Sequence, residues 1–303
     1  MESIKDILKK SKLLVLIVIR FRIIFKCTLT IISPVLNSRY HYKKEFKRKL
    51  NLKNPHNFNE KLLWLKLNTY YKNQLVTKCA DKYAVRDYVK ECGYESILNE
   101  LYGVYNCVED IPWNELPNKF ALKWNFGCGF NIICTDKSKI NIEETKRQLK
   151  KWGKRKYYLQ YSEMQYKNTI KRLICERYLD TEQGFLPYDY KVYCFNGEPK
   201  AILVCMEREN SMKAVFMSPS WEFIDAPKKY GKVNQIPAKP EGLDMMLESA
   251  SCLSKPFPFV RIDYYMYRRN AIFGEMTFTP AGCLYTSQTN AEIMPMGEML
   301  QIK

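Results

Sequence analysis

Near its end the chain carries two runs of alternating side chains, FPFVRIDYYMY at 257–267 and AIFGEMTF at 271–278, on either side of the short polar stretch RRN. A period of two on both sides of so brief a connection leaves little but an antiparallel hairpin. With the turn centred on Arg269, Asp263 faces Glu275 and Arg261 faces Thr277, and all four side chains point to one face of the sheet. Two carboxylates directly opposite one another repel unless positive charge lies between them. The hairpin offers no lysine or histidine at those positions, so a divalent cation is the economical answer. Oxygen ligands of this kind suit Mg²⁺ shared with substrate phosphates. The same pair would also serve as solvated carboxylates on an exposed face, and a one-residue slip of register would separate them.

Strand signals dominate much of the remaining body. KFALKW (119–124) alternates, the glycine-containing loop NFGCGFN (125–131) follows, and NIIC resumes strand character; RLICERYL (172–179) reads the same way. DYKVYCFNGEPKAILVCM (189–206) predicts a hairpin around Asn196–Gly197. Helices are fewer. NFNEKLLWLKL predicts one capped by Asn59 with Leu62, Leu63, Leu65 and Leu67 packed, and a second runs from Val76 to Glu91 and stops at Gly93. Asn141 followed by Glu144 starts another, with Ile142, Leu149 and Trp152 inward, and Leu243 to Leu253 forms a last one. Strand runs with few helical crossovers and no repeat predict an α+β fold with antiparallel sheets.

At 303 residues and 46% apolar content the chain can bury a sizeable core, with room for about two domains. Its eleven cysteines form no C-x-x-C pair, which fits a reducing cytoplasm better than a disulfide framework or zinc finger. The two histidines, His41 and His56, lie outside the body, so acid, base and metal chemistry falls to carboxylates, lysines and arginines. The net charge is +17, yet residues 1–56 hold 14 basic and 3 acidic side chains, so the excess is mostly N-terminal. There, residues 12–36 are strongly apolar but interrupted by Arg20, Arg22 and Lys26, too often for a clean bilayer span. No small-residue cleavage site follows, against a signal peptide. Two readings stand: an interfacial helix on anionic headgroups, aided by Lys9, Lys10, Lys12 and the run Lys43, Lys44, Lys47, Arg48, Lys49, or a helix packed on the body. Nucleic acid is disfavoured, because apart from Tyr40 and Tyr42 no basic stripe is interleaved with aromatics.

Lys123 followed by Gly127 and Gly129 places a cation beside a turn whose backbone N–H groups can approach phosphate oxygens. Alone it is an ordinary β-turn pattern, and it completes neither Walker A nor G-x-G-x-x-G. Seven segments in order carry more: NPHNFNEKLLWLKL (54–67), TKCADKYAVRDYV (77–89), KFALKWNFGCGFNII (119–133), RLICERYL (172–179), DYKVYCFNGEPK (189–200), FPFVRIDYY (257–265) and FGEMTFTP (273–280). Together they resemble the TupA-like branch of the ATP-grasp superfamily, named for a teichuronopeptide biosynthesis protein and associated with bacterial cell-surface polysaccharides. The resemblance spans roughly residues 50–303.

It implies an ATP-grasp fold, two α+β lobes whose antiparallel sheets sandwich ATP, divided as arm 1–50, helical segment 51–118, N-lobe 119–180 and C-lobe 181–303. Lys82 and Lys123 match the two phosphate lysines, and Gly127 and Gly129 the loop over the phosphates. Glu176 and Leu179 match the adenine hinge, and Asp189 a ribose-hydroxyl acceptor. Asp263 and Glu275 match Mg²⁺ ligands, and Arg261 the cation on the transferred phosphoryl group. Thr277 stands where many relatives carry a ligating Asn. Lys191 reads either as an extra phosphate contact or as a solvated strand lysine. The implied activity, with ATP and Mg²⁺ as cofactors, is a ligase joining a carboxylate-bearing sugar or amino acid to an amine through an acylphosphate, in the cytoplasm or on the inner face of its membrane. Two rivals are a glycosyltransferase or sugar-phosphorylating enzyme, for which no D-x-D motif is present, and a non-catalytic nucleotide-binding scaffold docked on the membrane. Residues before Val76 show no βαβ alternation, so the acceptor is not identified.

Overall fold

The computed structural model describes residues 12–181, 186–208, 212–227, 230–231, 233–285 and 295–302. The strands form two antiparallel sheets. A four-stranded sheet has the order β1-β4-β2-β3, from β1 (Leu101–Tyr105), β2 (Phe120–Trp124), β3 (Asn131–Cys134) and β4 (Leu173–Arg177). A six-stranded sheet has the order β10-β9-β5-β6-β7-β8, from β5 (Asp189–Phe195), β6 (Glu198–Met206), β7 (Lys213–Met217), β8 (Phe223–Asp225), β9 (Phe259–Tyr267) and β10 (Asn270–Thr277). The expected α+β class with antiparallel sheets is therefore found.

Each sheet has its own apolar core. Phe120, Leu122, Trp124, Phe126 and Leu173 are buried with Leu149 of a helix over Ile142–Gly153, whose cap Asn141 accepts from the Glu144 amide as predicted. The larger core gathers Val192, Tyr193, Phe216, Phe259 and Ile262 of the six-stranded sheet with Leu62, Val76 and Val89 from upstream helices. The hairpin at Asn196–Gly197 forms as expected, both residues in the left-handed region.

Three expectations change. The helix Phe58–Leu67 is capped by Asn57, whose side chain accepts from the Glu60 amide; Asn59 lies one residue inside it and bonds both the amide and the carbonyl of Tyr285. The helix expected from Val76 to Glu91 is two, Gln74–Ala80 and Val85–Glu91, because Asp81 turns extended and its Oδ1 accepts from the Tyr83 and Ala84 amides. The segment 51–118 is not helical throughout, since β1 pairs with β4.

The chain from Lys12 begins with α1 (Lys12–Ile32) and α2 (Pro34–Phe46). Their junction is pinned to the body: Thr30 Oγ1 donates to the Leu159 carbonyl at 2.6 Å, Asn37 Nδ2 donates to Thr30 Oγ1 at 2.7 Å and to Ser162 Oγ at 3.1 Å, and His41 meets the Gln160 carbonyl. Lys9 and Lys10 lie outside the described residues, and among those described no helix is long and apolar enough to cross a membrane.

The Tyr70 hydroxyl, fully enclosed, donates at 2.6 Å to the Phe259 carbonyl and ties the helical segment to β9. Tyr70→Phe removes a buried donor while keeping the ring, and is expected to lower the unfolding free energy by about 1–3 kcal/mol in a denaturant titration.

Candidate functional site

The site begins at the β9–β10 hairpin. Its turn residues are Arg268 and Arg269, with φ of 47° and 69°, so the near end is paired one step away from the expected register. An irregularity between Phe273 and Glu275 restores it, and Glu275 then faces Asp263 as Thr277 faces Arg261. Gly274 makes this possible: a Cβ there would lie 2.9 Å from the Asp263 carbonyl oxygen.

Beside this hairpin β5 pairs with β9, setting Lys191 opposite Asp263 and Asp189 opposite Tyr265. The Lys191 ammonium lies 2.7 Å from Oδ2 of both Asp189 and Asp263. Arg261 grips Asp263 with two bonds of 2.6 Å and donates to Thr277 Oγ1 at 3.2 Å, and that hydroxyl donates to Glu275 Oε1 at 3.0 Å. Lys82, on the break between the two short helices, lies 3.0 Å from Glu275 Oε2 and donates at 2.6 Å to the Gly127 carbonyl. The facing carboxylates are thus neutralised by Lys82, Lys191 and Arg261, so the positive charge expected between them comes from neighbouring elements and does not by itself require a divalent cation.

On the opposite sheet Lys123 pairs with Glu176 at 2.7 Å, and Arg86 reaches the other Glu176 oxygen at 3.4 Å. The loop residues Gly127 and Gly129 have φ of 66° and 75°. They line a cavity of about 220 Å³ together with Lys82, Lys123, Asp189, Lys191, Arg261, Asp263 and Glu275. A second cavity of about 160 Å³ is lined by Ala121, Ile133, Glu176, Leu179, Leu186 and Phe273, among others. Lys123, Asn131, Arg208 and Tyr265 line both, so the two spaces adjoin. Of the expected site residues only Thr277 lines neither, and it reaches the cluster through Arg261 and Glu275.

Arg208 and Tyr265 were not anticipated. The guanidinium lies 5.4 Å from the Tyr265 ring centroid and 3.9 Å from Asp189 Oδ2. The tyrosine's place opposite Asp189 follows from strand pairing alone.

Burial by itself would raise the Glu275 carboxyl, but Lys82, then Arg261 and Lys191, hold it at about 2. Asp189 goes the other way: burial pushes it up, Lys191 only partly opposes this, and its Oδ1 is buried without a hydrogen-bond partner. Burial would lower Lys191, yet the Asp263 and Asp189 carboxylates together outweigh it and keep the ammonium charged. Among the described residues no group of three or more His, Cys, Asp or Glu side chains is arranged to hold a metal.

Residues 60–299 match a family model described as TupA-like ATPgrasp. No curated protein matches the chain. Among solved structures it is similar to the D-alanine–D-alanine ligase of Bacillus anthracis complexed with ATP (15% identity, TM-score 0.38), with 66% of this chain and 54% of that one covered. It is also similar to an L-amino acid ligase from Bacillus licheniformis (12%, TM-score 0.40, 72% and 47%) and to the ATP-grasp ligase PsnB complexed with a minimal precursor (11%, TM-score 0.43, 79% and 67%). The chain thus spans about half the length of the first of these structures.

Two outcomes follow from the geometry. A Cβ on Gly127 would sit 2.7 Å from the Tyr157 ring, whereas one on Gly129 meets nothing within 4 Å. Gly129→Ala should therefore cost about 1–2 kcal/mol of backbone strain, and Gly127→Ala a further ~1–3 kcal/mol of overpacking, both read from denaturant midpoints. The depressed Glu275 carboxyl contributes stability that is present above its unfolded value near 4.5 and is lost as pH falls toward about 2. The stability gap between the parent protein and Glu275→Gln should narrow over that window; a gap independent of pH would show that Lys82 and Arg261 do not stabilise the carboxylate.

Proposed function

Because the chain belongs to the TupA-like ATP-grasp family, we propose that it is an ATP- and Mg²⁺-dependent carboxylate–amine ligase acting in the assembly of a bacterial cell-surface polysaccharide. The observation that carries this reading is the convergence of Lys82, Lys123, Lys191, Arg208 and Arg261 on one 220 Å³ cavity beside an apolar one. Such a pair of spaces suits a triphosphate joined to a flat base. The lobes are then 119–180 and 181–303, with Lys82 contributed from the segment 51–118 and β1 added to the N-lobe sheet.

In this reading adenine enters the smaller cavity near Glu176 and Leu179, against Ala121 and Ile133. Asp189 accepts from a ribose hydroxyl, which would satisfy its orphaned Oδ1. Lys82, Lys123 and Lys191 take phosphate oxygens, and the Gly127–Gly129 turn offers its backbone amides. One buried carboxylate, one partly exposed carboxylate and a hydroxyl are too few for an all-protein cage, but they fit Mg²⁺, which keeps several waters and shares substrate phosphates. Asp263, Glu275 and Thr277 would hold it, and when bound it neutralises charge on the phosphate oxygens.

The chemistry has two transfers. A substrate carboxylate oxygen bonds to the γ-phosphorus while the bond to the β–γ bridging oxygen breaks and ADP leaves. The amine then bonds to the acyl carbon, phosphate departs with the C–O electron pair, and the surplus amine proton goes to solvent. Neither step needs a protein nucleophile. Lys123 and Arg261 supply fixed positive charge where it develops, which is the largest contribution such a site makes. The acceptor is a uronic acid or acidic amino acid of the polymer. A glycosyltransferase is not favoured, since no D-x-D motif occurs.

The test is release of ADP and phosphate from ATP in the presence of uronic or acidic amino acids with and without amines, amide product being followed by mass spectrometry. Turnover should need both partners, and Arg261→Ala should lower kcat by about 10²–10³ while nucleotide is still bound. Nucleotide binding without turnover on any carboxylate would assign the chain a non-catalytic role.

A further inference from the structure

From Val15 to Phe25 every residue of α1 except Val18 is exposed. Ile17, Phe21, Ile24 and Ile31 recur at intervals of four, three and seven and so share one face; they are 41%, 68%, 53% and 71% exposed. The far end of the helix is fixed by the buried Thr30, Asn37 and Ser162 bonds, so this apolar face is held outside the body and not folded back on it. A contiguous face of this kind is a mark of an interaction surface.

The charge around it identifies the occupant. Residues 12–56 contain a single acidic side chain, Glu45, against Arg20, Arg22 and Lys26 on α1 and Lys43, Lys44, Lys47, Arg48 and Lys49 beyond. A second copy would bring the same positive arm against this one, and like charge opposes that pairing. A bilayer crossing is disfavoured by Arg20 and Arg22 halfway along the helix, and no described helix qualifies as a span. An anionic bilayer surface matches both features: apolar side chains sink below the headgroups while the long arginine and lysine stems reach back to them.

We propose that α1 docks this protein on anionic lipid bilayers, lying in the headgroup region with Phe21 and Ile24 inserted. The proposal does not depend on the ligase reading, because none of these residues lines the candidate site.

The experiment is flotation of the full chain with vesicles of phosphatidylcholine alone or with about three parts in ten of phosphatidylglycerol. Binding to the anionic vesicles should be at least about tenfold tighter and should weaken with salt. Phe21→Glu combined with Ile24→Glu should abolish flotation without shifting the thermal midpoint, both side chains being exposed. Arg20→Glu with Arg22→Glu should remove the preference for anionic lipid. No flotation with anionic vesicles, or flotation unchanged in the Phe21→Glu and Ile24→Glu variant, overturns the proposal. So does an α1-dependent dimer in sedimentation velocity that ignores vesicles, which would give the face to a second copy.

Discussion

Asp263 is 3% exposed, and a charge so placed is costly unless paired and hydrogen-bonded. Arg261 meets it side-on along its own strand, and Lys191 meets it from the neighbouring strand. Strand register and charge pairing therefore require each other. With a period of two, the arrangement that puts Asp189, Lys191, Arg261, Asp263 and Glu275 on one face puts Tyr190, Val192, Ile262, Tyr264 and Met276 on the other, and these five are buried. A one-residue slip of β9 would turn Ile262 toward the polar cluster and Asp263 into the apolar core. Register is thus specified from both faces of the sheet at once.

The other wall of the cleft depends on Asn125, fully buried at the end of β2. Its Nδ2 donates to Asp81 Oδ2 at 2.7 Å and to the Ile170 carbonyl, and its Oδ1 accepts from the Arg172 amide. Asp81 is the residue that breaks the upstream helix, and the Lys82 amide donates to the Asn125 carbonyl. One side chain therefore fixes the break, the loop and the lysine between them. From that point Lys82 spans Gly127 and Glu275, joining the glycine loop of one sheet to the carboxylate edge of the other.

Much of this was legible because it is local. Alternation plus a short connection was enough to bring Asp263 opposite Glu275, although the pairing arises from an offset turn and a compensating bulge; Gly274, a glycine inside a strand, was the available signal. The helix break was masked by apolar spacing that continues through it, and Asp81 followed by two acceptable N-terminal positions was its only trace. β1 escaped notice because LYGVY is short and carries Gly103 at its centre. Arg208 has no local signature at all: it lies two residues past the end of β6, and only sheet order lays it against Tyr265. For the arm, sequence left packing and exposure open, since the bonds that decide it come from Leu159, Gln160 and Ser162, more than a hundred residues away.

The net charge of +17 likewise divides by environment. Five cations converge on the cleft, where Asp189, Asp263, Glu275 and the Glu176 partner of Lys123 neutralise only part of them, so the cavity retains positive charge in surroundings where water screens poorly. The arm holds a larger excess, but in solvent, where charges separated by more than about 8–10 Å are screened at moderate salt. Equal signs thus have unequal reach. The cleft's field is short, strong and shaped by strand register, which suits an anion held at several fixed points. The arm's field is broad and weak for each residue, and it gains effect only through number, which suits a surface whose charge is itself spread out.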